Sequence, residues 1–266
     1  MRDDQKVDTF GGTSILAARS RLGSLRAYLA FPRTGRGATS RFIIITSGRT
    51  GSELLVSLLH SHPQFSCDGE ILNTRRQWPD RFLAGRAARA AAQGKLAYGC
   101  KVQPQDILDV QRIADPHNWV RRQHAKGWRI IHLRRRNRLH QAISVVRATQ
   151  SEWHYRHGEE GPAGPLTLDP NAVIGTMYLI QHKENQIAAM VEGVPHLELW
   201  YEDDLEQASD QSRTVATICQ ELGVTTQPTT SELTRVTPPS VRDAVANYDE
   251  IAATIRANAF TQYLDQ

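Results

Sequence analysis

The sequence predicts an α/β domain: a mainly parallel sheet with helices on both faces. Short apolar runs such as RFIIIT (41–46) and WRIIHL (128–133) are uninterrupted, as in strands buried on both sides. They alternate with segments whose apolar residues recur at helical spacing, the order that parallel strands with crossover helices require. A glycine-containing turn, SGRTGS, joins the first strand directly to the first helix. Residues 41–266 are assigned to this domain and residues 1–40 to a basic N-terminal extension and linker.

In chain order, Ala18, Leu22, Leu25 and Leu29 fall at helical spacing among Arg19, Arg21 and Arg26. Two readings stay open for residues 13–30, a packed N-terminal helix or an amphipathic helix resting on an anionic membrane. FPRTGRGATS is a linker, rich in Gly, Ser and Thr. After RFIIIT, Leu55, Leu58, Leu59 and His62 mark the first helix. FSCDG reads as a short strand, 81–93 as a helix and LAYGCKV as a strand. WRIIHL follows, then a helix with Leu139, Ala142, Ile143 and Val146 on one face. Residues 172–191 form a helix, VPHLELWYEDDL a late strand with its exit loop, and helices near 205–222 and 240–263 close the chain.

The chain has 266 residues, 40% hydrophobic and 23% charged, enough for one substantial core. Its 32 Lys+Arg against 28 Asp+Glu give a net charge of +4, which suits anionic ligands without selecting one. The three cysteines, Cys67, Cys100 and Cys219, are scattered, and no Cys/His pattern has zinc-site spacing; neither a disulfide scaffold nor a metal is expected. The opening MRDDQK leads into no apolar signal region, and no apolar run reaches the ~20 residues of a membrane span. The expectation is a cytoplasmic, reduced protein with no nucleic-acid partner.

Chemistry concentrates at two places. In IIITSGRTGSELLVSLL, Gly48 and Gly51 let the backbone curl so that successive N–H groups face one anion, and the helix N-terminus adds partial positive charge. Thr50 and Ser52 bring hydroxyls and Arg49 a permanent cation. A nucleotide-hydrolysing loop would carry Gly-Lys-Ser/Thr, but no Lys follows Gly51. The strand WRIIHL ends on Arg134, Arg135 and Arg136, where such an enzyme would place a metal-binding carboxylate. Nucleotide binding without magnesium is the inference. In the second place, Arg136 stands at a strand exit and Ser144 eight residues on, off the apolar stripe of its helix; Asn137 is a helix-cap candidate.

On these residues the chain resembles the PAPS-dependent sulfotransferases, in particular the bacterial carbohydrate branch with the nodulation-factor and trehalose-glycolipid enzymes. Arg49–Thr50–Gly51–Ser52 is similar to the family's 5′-phosphosulfate loop, Arg136 with Ser144 to its 3′-phosphate element, and WYEDDL to its late Tyr-Glu-Asp strand ending. The resemblance spans roughly residues 41 to 264. It implies a P-loop-like three-layer fold, 3′-phosphoadenosine 5′-phosphosulfate (PAPS) as donor and a carbohydrate or glycolipid acceptor. Gly48, Arg49, Thr50, Gly51, Ser52, Glu53, Arg136, Ser144 and Arg235 are the expected donor-binding residues. Glu53 departs from the pattern, because a carboxylate replaces a hydroxyl or amide donor and only its backbone N–H can serve.

Arg49 is expected to neutralise charge on the leaving oxygen. CDGEILN offers Asp68 and Glu70 as the base that takes the acceptor proton, and the resemblance to the carbohydrate sulfotransferases implies Glu70. Lys101 is either a sulfate contact or a solvated lysine. His154 and His157 read as surface or substrate-contact residues, and Trp153 and Tyr155 either stack on adenine or sugar or belong to the core. The competing functions are a P-loop kinase-like phosphotransferase and a silent nucleotide-binding or membrane-associated adaptor.

Overall fold

The computed structural model describes residues 40–150, 164–233 and 240–264. The extension before Ser40, the 151–163 segment with Trp153, His154, Tyr155 and His157, and Arg235 lie outside the described residues.

Among the described residues five parallel strands, in the order β2-β3-β1-β4-β5, form the sheet: β1 (Ser40–Thr46), β2 (Phe65–Asp68), β3 (Ala97–Val102), β4 (Trp128–Arg134) and β5 (His196–Trp200). β1 lies at the centre, and the chain leaves it first towards β3 and β2, later towards β4 and β5. Such a reversal opens a crevice beyond the carboxyl ends of the central strands. Ser40 already belongs to β1, paired with Ala97, and its hydroxyl donates to the carbonyl of Leu222 at 2.7 Å.

β1 is apolar throughout because both of its faces are covered. Phe42 and Ile44 point into one cluster, with Leu55, Leu58 and Leu59 of α1 (Ser52–Ser61) and Val215, Ile218 and Leu222 of a later helix. Ile43 and Ile45 point into the other, with Phe82, Leu83, Ala87 and Ala90 of α2 (Pro79–Ala92) and Trp119 and Val120 of α3 (Pro116–Ala125). The three consecutive isoleucines are fully buried or nearly so, each contributing about 1.5–3 kcal/mol of burial. Gly99 of β3 is fixed by packing, since a Cβ there would lie 2.1 Å from the Phe42 ring.

α3 escapes periodicity because its inward face is short, but Asp115–Pro116 signals it. Asp115 accepts from the Asn118 amide, and Pro116 needs no donor in the first turn. Asp169–Pro170 starts α5 (Pro170–Val191) in the same way, after α4 (Arg138–Gln150). β5 turns into the short α6 (Tyr201–Asp204) and then α7 (Ala208–Leu222). The helix expected over 240–263 is instead α8 (Val241–Ala244), α9 (Tyr248–Arg256) and a final 3-10 turn. The break has a cause: Val245 forms a parallel bridge with Leu166, and the Asn247 side chain binds both backbone groups of Leu168. This closing segment packs with α4 and α5 through Ile143, Val146, Met177, Ile251, Ile255 and Phe260. Buried Arg147 ties it down by donating to the Ala244 carbonyl.

Helices on both faces of the sheet make a three-layer α/β fold. Cys67, Cys100 and Cys219 are buried free thiols. Among the described residues no helix is long and apolar enough to cross a membrane.

Candidate functional site

The site is built on the turn between β1 and α1. Gly48, Arg49 and Gly51 adopt positive φ of 89°, 54° and 79°, curling the backbone back over the end of β1 before α1 begins at Ser52. Gly51 is required twice over. Its φ disfavours a side chain, and a Cβ there would lie 2.5 Å from the Tyr201 ring. WYEDDL therefore matters to the loop: β5 delivers Tyr201 against Gly51, and the Glu202 carboxylate accepts from the backbone amides of Arg136 and Asn137 at 3.0 and 3.1 Å.

The loop is braced from α4. Gln141 donates to the Ser47 hydroxyl at 3.0 Å and to the Gly48 carbonyl at 2.6 Å. Arg135 donates to the Arg49 carbonyl at 3.2 Å and stacks on Tyr201, its guanidinium 4.5 Å from the ring centre. Arg49 itself reaches α4, donating to the Ser144 carbonyl at 3.2 Å. Two motifs separated by 95 residues thus meet in one place. Asn137 caps α4, accepting from the His140 amide at 2.8 Å. The Thr50 hydroxyl is fully buried against Thr46, leaving its backbone N–H as the group suited to a ligand, and Ser52 is nearly buried at the start of α1.

Arg136 sits differently from Arg49 and Ser144. Its guanidinium pairs with Asp203 at 2.5 Å and stacks on Trp200, largely exposed. The run of three arginines concealed which of them braces the loop; it is Arg135. Gln141 and Arg135 were missed by sequence reasoning, since neither belongs to a recognisable spacing.

Beside the loop, Lys101 at the end of β3 is buried between two carboxylates. It pairs with Glu53 and, at 3.0 Å, with Glu70. Burial alone would lower the Lys101 pKa, but the two carboxylates raise it above the ordinary lysine value. Lys101 is therefore not a solvated lysine, and the Glu53 carboxylate is engaged sideways. Burial would raise the Glu70 pKa, yet Lys101 and a 2.5 Å hydrogen bond from the Gln103 carboxamide hold it below the usual glutamate value. Asp68 is otherwise occupied. Arg86 grips it with bonds of 2.9 and 2.7 Å, and the Tyr98 hydroxyl donates to it at 2.7 Å.

Asp106 opens a π-helical turn, Asp106–Val110, and its carboxylate accepts from the Gln103 amide at 2.8 Å, fixing the residue that grips Glu70. Burial, with a further contribution from Glu70, pushes Asp106 up to about 6. A carboxyl whose pKa rises on folding binds its proton more tightly in the native state, so its ionisation weakens the fold as pH rises from about 4 to about 6. Asp106→Asn is accordingly expected to stabilise the protein at neutral pH by up to about 3 kcal/mol, and by much less below the unfolded value. Urea unfolding of both proteins at about pH 7.5 and about pH 4 measures the difference; equal increments at the two pH values would refute it.

A family model described as Stf0 sulphotransferase matches residues 84–258, more than half of the chain. The matched segment begins after the glycine turn and Glu70. Nodulation protein H of Rhizobium meliloti, and that of Rhizobium meliloti strain 1021, are each 29% identical over 143 residues. The alignment covers 48% of this chain and 56% of those proteins, so the chain spans little more than half the length of the curated relatives it matches. Among solved structures, a sulfotransferase from Alicyclobacillus acidocaldarius aligns with 84% of this chain and 96% of its own, at 15% identity and a TM-score of 0.43. The sulfotransferase domain of the Synechococcus PCC 7002 olefin synthase aligns with 79% and 84%, at 16% identity and a TM-score of 0.44.

Proposed function

Because the chain belongs to the Stf0 sulphotransferase family, we propose that it moves a sulfuryl group from PAPS to a hydroxyl of a carbohydrate or glycolipid acceptor. The observation that carries this reading is the meeting of Arg49 with Ser144 at 3.2 Å, over a turn with two glycines at positive φ. It brings the glycine turn, read here as an anion cradle, against the helix that carries Ser144, and the sequence offers no Gly-Lys-Ser/Thr magnesium loop there. The acceptor class rests on the nodulation-protein likeness. Residues 41–266 form the transferase domain in this reading, acting in the cytoplasm; for residues 13–30 the two readings stand, a packed helix or a peripheral membrane contact.

The backbone of Gly48–Ser52 and the Glu53 amide hold the 5′-phosphosulfate. The acceptor oxygen attacks sulfur in line, and its proton passes to Glu70. The bond from sulfur to the bridging oxygen breaks, the electron pair stays on the departing 5′-phosphate, and Arg49 stabilises that charge. Lys101, buried between Glu53 and Glu70, holds the base carboxylate in place beside the loop.

Arg136 and Ser144 are assigned to the 3′-phosphate. Arg136 must then release Asp203, a solvent-screened partner that a phosphate can displace. Arg136→Ala is expected to weaken adenosine 3′,5′-bisphosphate by about 2–5 kcal/mol while sparing adenosine 5′-phosphosulfate. Calorimetry with both ligands decides; equal losses would move the role to Arg135, which already lies against the loop. Transfer from radiolabelled PAPS across a panel of glycolipids and oligosaccharides tests the function itself. No transfer, with ATP bound in preference to the bisphosphate and magnesium required, would establish the kinase-like alternative. Binding without turnover would establish the silent adaptor.

A further inference from the structure

At the sheet edge, away from the glycine turn, His132 of β4 and His196 and Glu198 of β5 converge. β5 pairs with β4 in parallel register, with Ile130 opposite His196 and His132 opposite Glu198. The His-x-Glu spacing on β5 places both side chains on one face, and His132 projects from the same face of the neighbouring strand. One ligand atom from each of the three lies within 4.8 Å of the others.

Three details go beyond proximity. His132 is 2% exposed, and its Nε2 is buried with no hydrogen-bond partner among the described residues, which a neutral imidazole in a core does not normally tolerate. Glu184 of α5 approaches it only to 3.9 Å, too far for a hydrogen bond. His196 Nδ1 lies 2.7 Å from the Val194 carbonyl; donating there leaves Nε2 with a free lone pair, the tautomer-fixing arrangement of metal-bound histidines. Glu198 is oriented by the Trp200 indole N–H, which donates to it at 2.8 Å. The surrounding charge also suits a cation: Arg134 lies between Glu184 and Glu198, leaving one net negative charge for an incoming ion.

We propose that His132, His196 and Glu198 form a binding site for a zinc-class divalent cation, with the fourth position open to solvent. Two imidazoles and one carboxylate match zinc and its transition-metal neighbours and do not suit magnesium or calcium, which take all-oxygen shells. Tetrahedral ligands at about 2.0–2.1 Å from a metal stand roughly 3.3 Å apart. The three groups therefore close inward on binding, a movement open to His196 and Glu198, which are exposed. The ion would clamp the edge strand β5 to β4, and β5 carries Trp200, Tyr201 and Glu202 to the glycine turn.

Equilibrium dialysis of the full chain against zinc alone, with thermal unfolding with and without zinc, tests the site independently of sulfuryl transfer. The expected result is one saturable zinc per chain and a raised Tm. His196→Ala and Glu198→Gln are each expected to weaken zinc by at least about 10-fold, the smallest effect seen when only an outer partner of a metal ligand is lost, and to abolish most of the Tm rise. Both residues are exposed, so the variants fold; if His196→Ala does not, Glu198→Gln decides alone. The double variant His154→Ala/His157→Ala is expected to bind like the parent. No saturable zinc in the parent, undiminished affinity in Glu198→Gln, or loss that follows the His154/His157 variant overturns the site.

Discussion

Arg49→Ala is expected to lower kcat about 10³–10⁵-fold, the range associated with removing the arginine that stabilises charge in phosphoryl transfer. The arithmetic follows from where charge develops. As the sulfur–oxygen bond breaks, negative charge gathers on the bridging oxygen of the 5′-phosphosulfate, and the loop amides alone meet it with partial charges. Arg49 supplies a full one from a backbone already curled at a φ of 54°. Alanine shares that backbone penalty with arginine, so the variant changes the side chain without relaxing the turn. Its stability should therefore stay close to that of the parent, which unfolding curves will verify. The Kd for adenosine 3′,5′-bisphosphate, which lacks the sulfuryl group, should change far less than kcat. Arg49→Lys is expected to recover only part of the rate, since a lysine cannot reproduce the planar fork that reaches both ligand and the Ser144 carbonyl. A full-rate alanine variant would mean that Arg49 braces α4 and does no chemistry.

The architecture was legible because its elements announce themselves locally. The apolar runs of β1 and β4 and the glycines of the turn depend on neighbours in sequence, and each stands in the structure within a residue or two of its expected place. α3 was missed because only Trp119, Val120 and Gln123 are buried in ten residues, too few to reveal a period. The site was legible only in outline. Arg134, Arg135 and Arg136 are chemically identical in the sequence, but the end of β4 sends the first to Glu184, the second to the loop and the third to Asp203. Lys101 was ambiguous for the same reason: its two carboxylates come from α1 and from the turn after β2, contacts that no spacing within β3 encodes. Long-range polar pairing decides these roles, and a single sequence carries no record of it.

Those same contacts sharpen the choice of base. Glu70→Gln is expected to lower kcat about 10²–10⁴-fold while leaving the affinity for adenosine 3′,5′-bisphosphate nearly unchanged. Glutamine is a close substitute in shape, and its carbonyl can still accept from Gln103 and face Lys101, so the pocket persists while the proton acceptor is lost. The depressed Glu70 pKa has a direct consequence. The carboxylate remains ionised below the ordinary value of 4.5, so the acid limb of kcat/KM in the parent should fall beneath that point. Glu70→Gln should lose this limb along with the rate. The companion variant Asp68→Asn discriminates between the two carboxylates. Arg86 and Tyr98 already saturate Asp68, and breaking that partly buried pair is a structural injury, read as a lower urea midpoint with kcat preserved. An active Glu70→Gln beside a dead but folded Asp68→Asn would transfer the base to Asp68. If both retain full turnover, the proton leaves by another group, and Lys101 with its two carboxylates becomes a structural lock between α1 and β3.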